Sequence, residues 1–190
     1  MDTRYPYAIE DDRFAPTPAR AKFLAGVVAG AIGGILMIGF MMGYAEFKGA
    51  GMATPLKGLG AFIYGVEALV AGPEAMLVGA LLQLGFAIVL GLFFALFISR
   101  GTSIVASVFG GVFLAIVVWA AMQLVVLPLE NPTMAARVAL IPGAYFCAHL
   151  ILGLALGLMS VLVRRFSRGA YHLEPVRDRR VGHAAETQSL

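Results

Sequence analysis

The chain has 190 residues, 60% of them hydrophobic and only 13% charged, a balance that excludes a soluble domain of this size. The formal net charge of +3 does not mark a nucleic-acid surface, because the basic residues are distributed as an orientation signal around apolar segments. A single cysteine, Cys147, excludes an intrachain disulfide and CxxC metal chemistry.

A hydrocarbon core about 30 Å thick needs roughly 20 apolar residues in a helix. Four segments meet that requirement: 22–44, 74–98, 102–127 and 141–163. The expected fold class is therefore all-α, an integral membrane four-helix bundle with short interfacial helices on the outer face. Only Lys48, Lys57 and Arg137 fall on one side of these segments; the other Lys and Arg residues fall on the opposite side. By the positive-inside rule both termini and the turn "ISRGTS" face the cytoplasm. Residues 1–21 read as a cytoplasmic N-terminal tail, 22–163 as the transmembrane domain, and 164–190 as a basic cytoplasmic tail able to attract anionic lipid. The expected address is the inner membrane of a bacterium.

The first segment, "FLAGVVAGAIGGILMIGFMMGY", has an apolar run too long for a signal-peptide core and no clear cleavage site, so an uncleaved anchor is expected. An external stretch of about thirty residues follows, long enough to carry structure of its own. Within it Thr54 is a candidate N-cap and Pro55 a first helical residue. Leu59, Phe62, Ile63, Val66, Leu69 and Val70 then recur at the spacing of an amphipathic interfacial helix. The second and third segments are separated by so short a turn that they are expected as antiparallel neighbours. After the third, Asn131 is placed to cap a short helix beginning at Pro132, and Pro142 restarts the chain into the fourth segment.

Small residues recur every four positions. Gly26, Gly30 and Gly34 lie on one face of the first helix, with Gly39 and Gly43 further round. Ala87, Gly91 and Ala95 mark the second helix, Ser107 and Gly111 the third, and Gly153 and Gly157 the fourth. Between lipid-solvated helices such ladders drive association by close backbone approach, either within a bundle or towards a partner subunit. A weak internal repeat sets Gly91 over Gly157, which puts Gln83 over His149, and sets Gly33 and Gly34 over Gly110 and Gly111.

His149, Gln83 and Gln123 are the polar groups expected at membrane depth, and such groups are functional candidates by position. Three readings of His149 stay open: a hydrogen bond between helices, handling of a proton or substrate, and ligation of haem or metal. A b-type haem needs a second ligand, and His172 and His183 both lie in the tail. Nine methionines invite a copper reading, with Met37, Met41 and Met42 on one face and Cys147 and His149 at similar depth, since thioethers favour Cu(I). Methionine is equally an ordinary filler of apolar packing, and no cofactor is expected. Trp119 is expected to pack deep, with its N–H bonded across helices. Glu46, Lys48, Glu67, Glu74, Glu130 and Arg137 are expected to be solvated or weakly paired on the outer side.

The runs "AGVVAGAIGGILM", "LLQLGFAIVLGLFFAL", "GGVFLAIVVWAAMQLVVLP" and "AHLILGLALG" resemble uncharacterised four-helix bacterial inner-membrane proteins of the YagU-like, domain-of-unknown-function type. That resemblance implies a fold and a membrane address but no reaction. In such proteins the second helix often carries a histidine where this chain has Gln83, a departure that removes a paired-histidine site. No P-loop, HExxH, GxSxG or dinucleotide fingerprint is present, so no catalysis is expected. The leading expectation is a non-catalytic accessory subunit of a larger membrane complex, respiratory or photosynthetic, in contact with lipid and with partner subunits or further copies of itself. The alternative is a small oligomeric transporter or channel with a polar path at His149 and Gln83; a haem-binding electron carrier is the third reading.

Overall fold

Proline and glycine punctuate the chain where its helices start and stop. In the computed structural model, which describes residues 17–171, helix α1 (Ala19–Phe47) follows Pro18 and ends before Gly49 and Gly51, both at positive φ. Helix α2 (Thr54–Tyr64) ends at Gly65, whose φ of 59° a residue with a side chain rarely adopts, and a 3₁₀ turn (Gly65–Leu69) leads to α3 (Pro73–Phe97). Ser103 caps α4 (Ile104–Ala121) by accepting from the Ala106 N–H. A π-helical turn (Met122–Val126) then joins α4 to α5 (Leu127–Glu130), so that Ile104–Glu130 runs as one long helix. After α6 (Pro132–Leu140), α7 (Pro142–Gly157) and α8 (Met159–Tyr171) form the last long element, bent at Leu158.

The described residues are helical, without a strand, and four helices are long and apolar enough to cross a membrane. They are Ala19–Phe47, Pro73–Phe97, Ile104–Glu130 and Pro142–Ser167. Each begins or ends a few residues away from the segment that hydropathy outlines. α1 starts at Ala19, inside the expected tail, and α8 carries helix through Arg164 and Arg165 to Tyr171. Residues 1–16 and 172–190, with the rest of both expected tails, lie outside the described residues.

Glycine decides which helices touch. Gly26, Gly30 and Gly34 turn one face of α1 onto α3, where an added methyl at Gly30 would lie 2.7 Å from the Ile88 Cα. Gly33, on the other face of α1, meets Leu152 and Ala155 of α7. Gly111 of α4 meets Gly153 and Gly157 of α7 in the same manner, its added methyl 2.5 Å from the Gly153 carbonyl oxygen. The helices therefore run side by side in the order α3, α1, α7, α4. Burial follows that order: half of the α7–α8 span is buried against 11% of the α4–α5 span. Gly39 and Gly43 face no neighbouring atom, so the first ladder packs only along its Gly26–Gly34 stretch.

α3 and α4 are consecutive in the chain yet are not packed neighbours along their length. They approach at the connecting turn, where the Phe94 ring lies against Gly110, and diverge beyond it. A short turn brings two helices side by side; which partner each then packs against is settled by close approach, and the glycines pair α3 with α1 and α4 with α7. Gly30 meets α3 at Ala87 and Ile88, Gly34 meets it at Ala87 and Leu84, and Gly111 meets α7 at Gly153 and Gly157.

The turn end is tied by cations on backbone carbonyls. The Lys22 Nζ donates to the Leu96 carbonyl, Arg164 to Thr102, and Arg100 to Ser167. At the opposite end α2 lies across the bundle differently from the sequence expectation. Thr54 is the first helical residue rather than its cap, and its hydroxyl donates to the Ala50 carbonyl. Ile63, Val66 and Val70 are exposed, whereas Leu56, Gly58, Gly60 and Ala61 are buried. The buried glycines explain this: Gly60 sits on the Ala75 backbone, and Gly79 of α3 sits under the Leu56 carbonyl. Close backbone contact with α3 thus fixes the rotation of α2, so that Leu59 and Phe62 of the expected stripe pack against the core while Ile63 and, beyond the helix end, Val66 and Val70 do not.

A candidate binding cavity between the helices

The divergence of α3 from α4 leaves a cavity of about 150 Å³ between them, with α1 and α7 as its back wall. Phe94 against Gly110 closes the turn end, while α2 and α6 roof the other. Leu56 and Leu59 come from α2, and Met134 and Val138 from α6. No Asp, Glu, Lys or Arg lines the space.

Each polar group in the wall is positioned by a local cause. Met37 lies one turn beyond Gly33 on α1, and His149 one turn before Leu152 and Gly153 on α7, so the Gly33–Leu152 contact puts them at one level. Gln83 reaches that level from α3, its Nε2 donating to the Met37 Sδ at 3.0 Å. The His149 Nδ1 is 2.7 Å from the Tyr145 carbonyl oxygen one turn earlier. A carbonyl only accepts, so Nδ1 carries the proton of that bond, and in the neutral ring Nε2 keeps a free lone pair. The same arrangement, ring N–H to backbone carbonyl, fixes the tautomer of histidines whose other nitrogen binds a ligand.

Gln123 and Met122 owe their place to Pro128. Proline has no N–H to offer the Leu124 carbonyl and its ring clashes with it. The helix answers by widening, with the Leu127 N–H bonding to Met122 five residues back. That π-turn rotates Met122 and Gln123 to the cavity wall. One turn earlier Trp119 packs edge-on against Phe146, ring centroids 5.0 Å apart at 73°. Its indole N–H is buried without a partner, contrary to the cross-helix bond expected of it.

The roof is fastened by Asn131, which is 3% exposed. Its Oδ1 accepts from the Met134 N–H and caps α6, as its place before Pro132 suggested. Its Nδ2 donates to the Gly58 carbonyl of α2 at 3.1 Å. The sequence shows the cap but not this second bond, which joins residues 73 positions apart.

All three polar candidates, Gln83, Gln123 and His149, line this single cavity, together with Met37 and Met41. Met42 and Cys147 do not; Cys147 is exposed, so the thioether and thiol groups that invited a copper reading are not brought together. Met122, Met134 and Tyr145 join the wall instead. Pro128 is the signal in the sequence that marks Met122 as turned inward, since a proline displaces the face of the preceding helical turn. Among the described residues no group of three His, Cys, Asp or Glu is gathered to hold a metal, and His172 and His183 lie outside them. Of the outer charged residues, Glu46 and Glu74 turn back to accept from the backbone N–H of Met52 and Gly72. Lys48 lies over the rings of Tyr44 and Phe47. No protein-family model, curated protein or solved structure matches the chain.

Proposed function

We propose that this chain is a multi-pass protein of the bacterial inner membrane that binds a small, mostly apolar molecule in the cavity between α3 and α4, as a carrier or receptor rather than as an enzyme. The observation that carries this reading is the convergence of Gln83, Gln123 and His149 on one otherwise apolar space. Ligand sites are concave, mainly hydrophobic, and supplied with a few placed polar groups. Large exposed side chains such as Leu77, Val89, Phe93 and Phe113 on the outer faces of α3 and α4 support solvation of the bundle by hydrocarbon. A ligand dissolved in that hydrocarbon would reach the cavity through the seam where α3 and α4 diverge.

Both ends of the chain are assigned to the cytoplasm. Lys22, Arg100, Arg164 and Arg165 at the turn end support that orientation, against Lys48, Lys57 and Arg137 at the roof. Reporter fusions to residues 1 and 190 are expected to face the same, cytoplasmic compartment. Reporters in opposite compartments would overturn the four-pass reading.

The binding itself is tested with Trp119, the only tryptophan and a wall residue. Bromine-tagged apolar probes added to the protein in nanodiscs are expected to quench its fluorescence saturably, at one probe per chain. Filling the cavity with Val118→Phe should abolish the saturable part. Quenching that only rises linearly with probe, as partition into lipid gives, would remove the reading. The accessory-subunit expectation is kept as a proposal that the same preparation tests, through a stoichiometric partner retained on purification from native membranes.

A further inference from the structure

The chemistry of the wall narrows the ligand, on the premise that the cavity binds one. We infer that it accepts a phenol-type molecule: one aromatic ring bearing a hydroxyl, with an apolar tail leaving through the seam between α3 and α4.

The hydroxyl is indicated by His149. Its Nδ1 proton is committed to the Tyr145 carbonyl at 2.7 Å, so the cavity is offered a lone pair on Nε2 and no donor from that ring. Among the described residues the ring has no other hydrogen bond. A ligand that only accepts, such as an ether or a ketone, cannot satisfy it. A hydroxyl can, because it donates to Nε2 and still accepts on its own oxygen. The amide groups of Gln83 and Gln123 belong to the same wall and offer donors for that oxygen; Gln83 spends one of its two N–H bonds on so weak an acceptor as the Met37 thioether.

The ring is indicated by size and by sulfur. A volume of about 150 Å³ is that of the engineered apolar cavity that takes up one benzene. Four methionines, Met37, Met41, Met122 and Met134, contribute to the wall from three different elements. Thioether sulfur packs favourably at the edge of aromatic rings, with sulfur about 5 Å from the ring. The Met134 sulfur already lies 3.9 Å from the Tyr145 hydroxyl at the rim of the same space. The tail is indicated by the seam, the side of the cavity that neither α1, α7, α2 nor α6 closes.

The test compares a bromine-tagged alkylphenol with its O-methyl ether, titrated against Trp119 fluorescence in the full chain. The two differ in one donor hydrogen, and loss of a hydrogen bond to a buried acceptor is worth about tenfold in affinity. The phenol is expected to bind about tenfold more tightly than the ether. In His149→Phe the ratio should fall to about one. Equal affinities in the unaltered chain would overturn the hydroxyl assignment while leaving the cavity as a binding site. Failure of both probes to quench saturably would overturn the cavity reading and this inference together. Because the ratio is measured on the unaltered chain, the outcome does not depend on the folding of any variant.

Discussion

Gly30→Ala should lower the stability of the purified protein by about 3 kcal/mol, near the upper end of what overpacking by one methyl costs. The added carbon would lie 2.7 Å from the Ile88 Cα and against the Ala87 carbonyl, and both are backbone atoms that no change of rotamer can move aside. α1 and α3 would have to separate along the whole Gly26–Gly34 stretch. The same substitution at Gly39, which faces no atom within 4 Å, should instead be neutral or stabilising by up to about 1 kcal/mol, since alanine is the better helix former. Unfolding in detergent against increasing dodecyl sulfate, read by circular dichroism, separates the two variants. Equal stability for both would mean that the α1–α3 contact is not the close one described.

Asn131→Ala should cost about 1–3 kcal/mol, combining a lost helix cap with the loss of the bond to the Gly58 carbonyl of α2. The effect should be local. Amide hydrogen exchange is expected to speed up in α2 and α6 and stay unchanged at the α1–α3 and α4–α7 contacts. Asn131→Asp separates the two roles, because a carboxylate still accepts from the Met134 N–H but offers nothing to the Gly58 carbonyl. That variant should keep α6 protected while α2 exchanges faster. Uniform acceleration across the bundle would show that Asn131 contributes to global stability and does not fasten the roof alone.

Much of this architecture is legible in the residues, for reasons that are themselves local. Twenty-residue apolar runs outline the four long helices, Pro132 behind Asn131 announces α6, and a histidine or glutamine amid leucines is conspicuous. What escapes is decided between segments. Whether Gly33 or Gly34 faces α3 depends on a rotation of α1 that hydropathy cannot register, since every face of that helix is apolar. The α2 stripe is only partly legible for a related reason. Leu59 and Phe62 pack against the core and Ile63 is exposed, while the small residues carry the closest contacts, Gly60 on the Ala75 backbone and Gly58 against the Met134 side chain. The cavity has no signature in any one segment; it follows from α3 and α4, consecutive long helices, packing against α1 and α7 and not against each other.

That arrangement divides the molecule into two hairpins, α1 with α3 and α4 with α7, each closed on itself by its own glycines. Swinging one hairpin away from the other about the line where α1 meets α7 would enlarge the gap without disturbing either internal seal. The Phe94–Gly110 approach and the Arg100–Ser167 bond at one extremity of the gap, and the Asn131–Gly58 bond with the Met134 side chain against Gly58 at the other, tie the two hairpins together. The width of the aperture is therefore set by these few ties at its two ends, while the glycine contacts inside each half set the shape of that half.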